Sequence, residues 1–211
     1  MATSISGSTI RRLSHYLRTL EDLEQAGTGS VSSVQLADRG GTTAAQVRKD
    51  LSHFGSFGKR GHGYEVTHLR ERLAEIMGLE KHWVVALVGA GRIGRALFEY
   101  PAFKERGYDC AAVLDNDPKK VGQEMGVLTI RPVEDLEKVV RDTMTDLLVL
   151  AVPVDAAQGL ADRAVKAGIR GILNFAPTRL RVPKEVPVNN VNLVIELEAL
   201  SFSLTNQDRG A

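Results

Sequence analysis

Three glycines carry the chemistry that is most legible in this chain. Gly89, Gly91 and Gly94 stand in Gly89-Ala90-Gly91-Arg92-Ile93-Gly94, between an apolar run at 83–88 and a run of helical pattern from Arg92 to Tyr100. A second apolar run, 110–114, ends on Asp115, 21 positions beyond Gly94. Between a strand and a helix, the first glycine allows a tight turn. The second lets backbone approach a pyrophosphate, and the third lets helix and strand pack closely. Ala90, Arg92 and Ile93 complete the segment, which sits at the positive end of a helix. Asp115 can accept from the ribose hydroxyls next to adenine and would repel a 2′-phosphate. The expected ligand is NAD, as NADH and NAD+, rather than its phosphorylated form.

A second group of residues has the types that meet nucleic acid. From Arg39 to Gly63 there are five cations (Arg39, Arg48, Lys49, Lys59 and Arg60) against Asp50 alone, with His53 and His62 among them. Over the whole chain the formal net charge is only +1, so this concentration is local. At 100° per residue, Val47, Leu51 and Phe54 share one helix face and should be buried. The opposite face carries Ala45, Lys49 and Ser52, flanked by Gln46, Arg48 and His53, and the polar and cationic types among them can address base edges and phosphates in a major groove. Asp50 falls nearer the core and is expected to be a structural partner for a backbone or Arg group. Four glycines surround Lys59-Arg60 in 55–63, the pattern of a hairpin with a cationic tip that can lie along a minor groove.

The elements that would position these groups follow from periodicity. Ile10, Leu13, Leu17, Leu20 and Leu23 recur at helical spacing, with Gly27 as the stop. Ser32 with Gln35, flanked by a Val31–Leu36 staple, and Thr43 with Gln46 have the spacing of capping boxes on two short helices, and Gly40-Gly41 turns between them. Behind a supporting helix, that is a helix-turn-helix followed by a wing. Helical pattern resumes at 66–79. Beyond Asp115, helices at 133–141 and 154–167 alternate with apolar strands at 146–152 and 171–175, which indicates a doubly wound parallel sheet. Val152-Pro153 and Asn174, Ala176 and Pro177 then fall at its carboxyl edge, where ligands bind in such folds. A last helix, about 193–204, is apolar around much of its circumference and is expected to be buried against a second subunit.

The expected architecture is α/β. It comprises an N-terminal winged-helix (helix-turn-helix) domain at 1–79, a Rossmann-like doubly wound parallel sheet at 80–190, and a C-terminal dimerisation helix and tail at 191–211. No apolar run reaches the ~18 residues of a membrane span, so no membrane partner is expected. Residues 1–8 are small and polar, unlike a signal peptide, and a cytoplasmic protein is expected. Cys110, the one cysteine, should be a buried apolar group. All five histidines precede the glycine motif and none stands from Trp83 to Ala211, so that stretch lacks the commonest proton donor and no catalytic residues or metal ligands are expected.

Gln46-Val47-Arg48-Lys49-Asp50-Leu51-Ser52-His53-Phe54-Gly55, the Gly/Lys/Arg wing, 89–94 and Ile172-Leu173-Asn174-Phe175-Ala176-Pro177 together resemble the redox-sensing transcriptional repressor Rex family, in order and over nearly the whole chain. The resemblance implies a homodimer that exchanges its last helix. It also implies binding to palindromic double-stranded operator DNA, and release by NADH but not NAD+. It further implies a switch built from an arginine of the first helix, a tyrosine after the glycine motif and an aspartate before the last helix. Arg18, Tyr100 and Asn192 stand at these positions, so the acid is replaced by an amide, which can hydrogen-bond Arg18 but cannot form an ion pair. Two other classes compete: an NAD-dependent oxidoreductase with an accessory DNA-binding domain, and a CoA-binding Rossmann module. Sustained NADH turnover would mark the first, whereas Asp115 suits a dinucleotide better than CoA.

Overall fold

The computed structural model describes residues 5–59 and 62–207. Its internal contacts divide the chain into two compact units, 1–81 and 82–211.

In the first unit, α1 (Gly7–Gln25) starts where the Ser6 hydroxyl accepts from the Thr9 N–H, and stops before Gly27 at φ +72°. A short strand, β1 (Ser30–Val31), leads to α2 (Ser33–Gly40). Ser32 and Gln35 form the complete reciprocal capping box there. In α3 (Ala44–Ser52) only half of the expected box is present. The Thr43 side chain accepts from the Gln46 N–H, while the Gln46 amide turns to Asp50. The wing is β2 (Gly58–Lys59) and β3 (Gly63–Glu65), antiparallel, with β1 pairing the other edge of β3. α4 (Val66–Ile76) follows directly, capped by the Glu65 carboxylate. Leu13, Tyr16, Leu17 and Leu20 of α1 pack with Leu36, Val47, Leu51, Leu69 and Leu73 in one core. Ile10, placed on the apolar face by spacing, is 49 % exposed at the start of α1, beyond the reach of that core.

The second unit is built on a six-stranded parallel sheet. β4 (Trp83–Val88) leads into α5 (Arg92–Phe98) and α6 (Pro101–Glu105). The expected helix to Tyr100 is therefore broken. Pro101 opens α6 and biases the residue before it away from helix, so Tyr100 is extended at φ −74°, ψ 107°. Next come β5 (Tyr108–Asp115), a small hairpin of β6 (Glu124–Met125) and β7 (Leu128–Thr129), and β8 (Arg131–Pro132). A 3-10 turn at Val133–Asp135 precedes α7 (Leu136–Asp142), β9 (Leu147–Leu150), α8 (Val154–Ala167), β10 (Gly171–Asn174), β11 (Val188–Asn190) and α9 (Leu193–Gln207). The strand order is β11-β10-β9-β4-β5-β8, with every pairing parallel. The chain winds one way from β4 to β8 and the other from β9 to β11. The reversal lies between β4 and β9, which opens a crevice at their carboxyl ends.

One face of the sheet packs Leu136, Val139 and Val140 of α7 and Leu160, Ala161 and Ala164 of α8. The described side chains of α9 are exposed within the chain, with Leu193, Leu200 and Phe202 at 67, 61 and 72 %.

Candidate functional site

The crevice brings together most of the residues assigned to the cofactor. Gly89 follows β4, its N–H donating to the Leu114 carbonyl, while the Ala151 N–H donates to the Val88 carbonyl. A Cβ on Gly89, already at φ +104°, would overlap the Ala151 carbonyl oxygen and come within 3.2 Å of Val152. A Cβ on Gly94 would overlap the Gly89 carbonyl oxygen. These two glycines close the turn against β9 and α5. Gly91 differs: a Cβ there would meet nothing within 4 Å. The free space above Gly91 is the opening that a pyrophosphate needs, so the residues fit a dinucleotide. Ala90 is buried, whereas Arg92 and Ile93 are exposed at the start of α5, which no side chain caps. Val152 lies beside the turn, and Pro153 is exposed at the start of α8.

Asp115, 5 % exposed, ties the glycine turn to the loop after β5. Its Oδ2 accepts from the Ala90 N–H at 2.7 Å and from Lys120 Nζ at 3.1 Å, and its Oδ1 accepts from the Asp117 N–H at 2.8 Å. Burial pushes this carboxyl up, but the Asp117 and Ala90 N–H groups and Lys120 outweigh it and hold Asp115 below the usual carboxylate range. Lys120 was not singled out from the sequence. Only a lysine five positions beyond the strand end hinted at it.

Asn174 takes a different part from a side-chain ligand. It is fully buried, with Nδ2 2.9–3.1 Å from the Ala176 and Thr178 carbonyl oxygens and Asn190 Oδ1, and with Oδ1 accepting from the Ala176 N–H. Its amide therefore shapes the 174–178 loop, and only Pro177 of the expected trio is exposed, Ala176 being buried. Tyr100 is not brought to the glycine turn. Its ring meets Phe103 edge-on at 5.6 Å and lines an apolar cleft with Phe98, Tyr108 and Cys110. Cys110 is part-buried there, and burial pushes its thiol up to about 11. Asn192 accepts from the Val194 N–H at 3.0 Å, a capping bond at the start of α9. Arg18 is exposed on α1.

In the first unit, Asp50 has the role expected of it. Arg12 grips it with two bonds of 2.6 and 2.7 Å, Tyr16 donates at 3.0 Å and Gln46 at 2.8 Å. Burial raises the Asp50 carboxyl, and the Arg12, Gln46 and Tyr16 bonds more than offset it, so its pKa is lowered. Burial, together with the bond to Asp50, pushes Tyr16 up to about 12. This network locks α3 to α1. It also engages one donor of Gln46, which leaves that residue less free to read a base than its helical position suggested. Arg48, Lys49, Ser52 and His53 are exposed as expected. Ser52 bonds the Lys49 carbonyl, and Arg48 reaches Ser33 at 2.9 Å. Ser33, Arg48, Ser52 and Ser56 line a cleft bounded by α2, α3 and the wing. Of the serines in this cleft, Ser52 was expected from its helix face, whereas Ser33 and Ser56 carry no signal in the sequence beyond the capping box at Ser32 on its edge. Lys59 lies in β2, but its side chain and the whole of Arg60 lie outside the described residues.

Among the described residues no helix is long and apolar enough to cross a membrane, and no group of His, Cys, Asp and Glu could hold a metal ion.

Two family profiles match: one described as "CoA binding domain" over residues 80–178, the other as "Putative DNA-binding protein N-terminus" over 4–52. The chain is 46 % identical over 200 residues to the redox-sensing transcriptional repressor Rex of Carboxydothermus hydrogenoformans, covering 95 % of this chain and 96 % of that one. It is 44 % identical over 209 residues to Rex 1 of Thermotoga maritima, covering 99 % and 100 %. Among solved structures, RSP in complex with NAD+ and operator DNA matches with a TM-score of 0.91 and 37 % identity, covering 98 % of this chain and 95 % of that one. RSP with NADH matches at 0.89 and 35 %, covering 98 % and 97 %. RSP is described as a Rex-family repressor. With both a helix-turn-helix and a glycine-rich sheet crevice in place, and relatives at this identity over nearly their full length, the chain belongs to the family of redox-sensing transcriptional repressors, Rex.

Proposed function

We propose that the chain is a transcriptional repressor that binds palindromic operator DNA as a homodimer and is released by NADH, with no catalysis of its own. One observation carries the reading. A solved Rex-family repressor, similar over 98 % of this chain, is described with NAD+ and operator DNA in one structure and with NADH in another. The same protein therefore holds both ligands that the two units here are shaped for.

In this reading the Gly89–Gly94 turn, with Val152 and Pro153, receives the pyrophosphate, and Asp115 receives the adenosine ribose. The bound dinucleotide supplies the redox signal, a difference of one positive charge and of ring planarity at the nicotinamide. A ligand with equal affinity for two subunit arrangements shifts neither, so the difference must be felt by residues that change partners between them. Arg18, Tyr100 and Asn192 are the proposed partners. The exposed apolar side chains of α9 are the surface through which a second copy would be held, as an exchanged helix. Arg48, Lys49, Ser52 and His53 would enter the major groove while the wing, with Lys59 and Arg60, lies along the minor groove.

The family profile described for CoA gives the competing ligand a specific footing. The two are separated by titrating the full chain with NADH and with CoA. Selection of duplexes from a randomised pool then tests the DNA side. The reading expects NADH but not CoA to bind, and a palindrome with half-sites about one helical turn apart to be selected. CoA binding without NADH binding, or no enrichment of any duplex, would overturn it.

A further inference from the structure

We propose that Lys120 is a specificity-determining residue of the ribose subsite, setting how far that subsite tolerates a phosphate on the ribose next to adenine. The inference rests on the dinucleotide reading above. A carboxylate offers roughly four acceptor positions on its two oxygens. On Asp115 the Ala90 N–H and Lys120 Nζ take Oδ2, and the Asp117 N–H takes one position on Oδ1. One position is left, on an atom group only 5 % exposed. Asp115 can therefore receive one ribose hydroxyl but not two.

The group next to it is the Lys120 ammonium, 3.1 Å from Asp115 and 3.8 Å from Asp117, with its side chain 33 % exposed. The ammonium has three N–H donors and hydrogen-bonds Asp115, with Asp117 at ion-pair distance, so it can also donate to a ribose oxygen. The backbone that delivers it is well fixed. The Lys120 N–H donates to the Asp117 carbonyl at 2.9 Å, and Asp117 Oδ1 accepts from the Lys119 N–H at 2.9 Å. On its own, Asp115 would repel a 2′-phosphate. In the structure its charge is faced by a cation that an incoming phosphate would also meet. Removing the ammonium leaves Asp115 and Asp117 uncompensated. Discrimination between NADH and NADPH therefore depends on Lys120 as much as on Asp115.

The test is calorimetric titration of the full chain with NADH and with NADPH, in the parent and in Lys120→Met, Lys120→Arg and Asp115→Asn. Lys120→Met is expected to widen the preference for NADH by about tenfold, chiefly by weakening NADPH, since one nearby charge is lost from a partly screened site. Lys120→Arg should keep the parent's ratio, and Asp115→Asn should narrow it. The widening in Lys120→Met should shrink as salt is raised. Equal losses for both ligands in Lys120→Met would mean that Lys120 only braces the loop, which overturns this inference and leaves the cofactor reading standing. A parent that binds neither dinucleotide overturns both.

Discussion

Gly91 separates the fold of the crevice from its use. It sits at φ −78°, ψ −166°, extended backbone that any residue adopts, and a Cβ there meets nothing within 4 Å. Gly91→Ala therefore adds no strain and no overlap to the free protein. It loses a little as a helix N-cap, roughly 0.5–1 kcal/mol, and gains a similar ~0.4–1 kcal/mol because alanine has less unfolded freedom to lose. The net change in stability should lie within about 0.5 kcal/mol. Gly94→Ala is the contrast, since its Cβ would overlap the Gly89 carbonyl oxygen and backbone must move, at a cost of about 1–3 kcal/mol or more. In the dinucleotide complex the order reverses for Gly91. The added methyl occupies the space assigned to the pyrophosphate, and overpacking of about 1–3 kcal/mol corresponds to a ~5- to 150-fold loss of NADH affinity. Gly91→Val should abolish binding. The assay is denaturant unfolding beside NADH calorimetry and operator binding without NADH, on the same preparations. A Gly91→Ala protein as stable as the parent, binding DNA normally but NADH poorly, is the expected result. Unchanged NADH affinity would refute the placement of the pyrophosphate over Gly91.

Arg48→Ala should weaken binding to every duplex and reduce the salt slope by about 0.9, because Arg48 faces the cleft beside Ser33 where a phosphate would lie. Lys49→Ala should instead cost ~1–3 kcal/mol on the selected operator alone if it reads a base; equal behaviour of the two variants in salt titrations contradicts this division. Asp50→Asn should destabilise the first unit by about 3 kcal/mol, since it breaks a buried pair held by Arg12, and it should weaken operator binding even though removing an acid favours DNA electrostatically; tighter DNA binding in a gel shift would show that the network does not position α3. Tyr16, held near 12 against an ordinary value of about 10, contributes stability that is present below pH ~10 and lost as pH rises toward 12; thermal melts from pH 8 to 11 should show the decline in the parent and less of it in Tyr16→Phe. Tyr100→Phe should keep NADH and operator binding separately but reduce the effect of NADH on DNA, by up to the ~1–3 kcal/mol of a typical coupling. Asn192→Asp, which can still cap α9, should strengthen that effect; an unchanged NADH midpoint in both variants removes these residues from the switch.

Where side-chain pattern alone determines an element, the sequence was sufficient. The capped α2 and α3, the β4 turn, α8 at 154–167 and the inward turn of Asp50 were all readable. The edge strands were not. β1 and β8 have two residues each, β8 contains Pro132, and β11 ends Asn189-Asn190, so none has the apolar run that marks a buried strand. Their pairing comes from neighbours far along the chain. The sites divide in the same way. Glycine spacing located the crevice and told the two glycines that close it from the one that leaves it open, but not the atoms they close against, the Ala151 carbonyl for Gly89 and the Gly89 carbonyl for Gly94. Asn174 falls at the carboxyl edge by its position, and only tertiary contacts show its amide occupied by the loop. Lys120 and Ser33 carry no motif, and distance alone singles them out.

In the proposed function one chain reads the redox state of NAD and answers on DNA. The most direct test is fluorescence anisotropy of the full chain on its selected palindromic duplex, titrated with NADH and, separately, with NAD+ at matched ionic strength. NADH is expected to release the duplex while NAD+ at the same concentrations leaves it bound, with the released state returning to DNA when NADH is replaced by NAD+. Equal release by both forms, or release by neither while both bind, would contradict it.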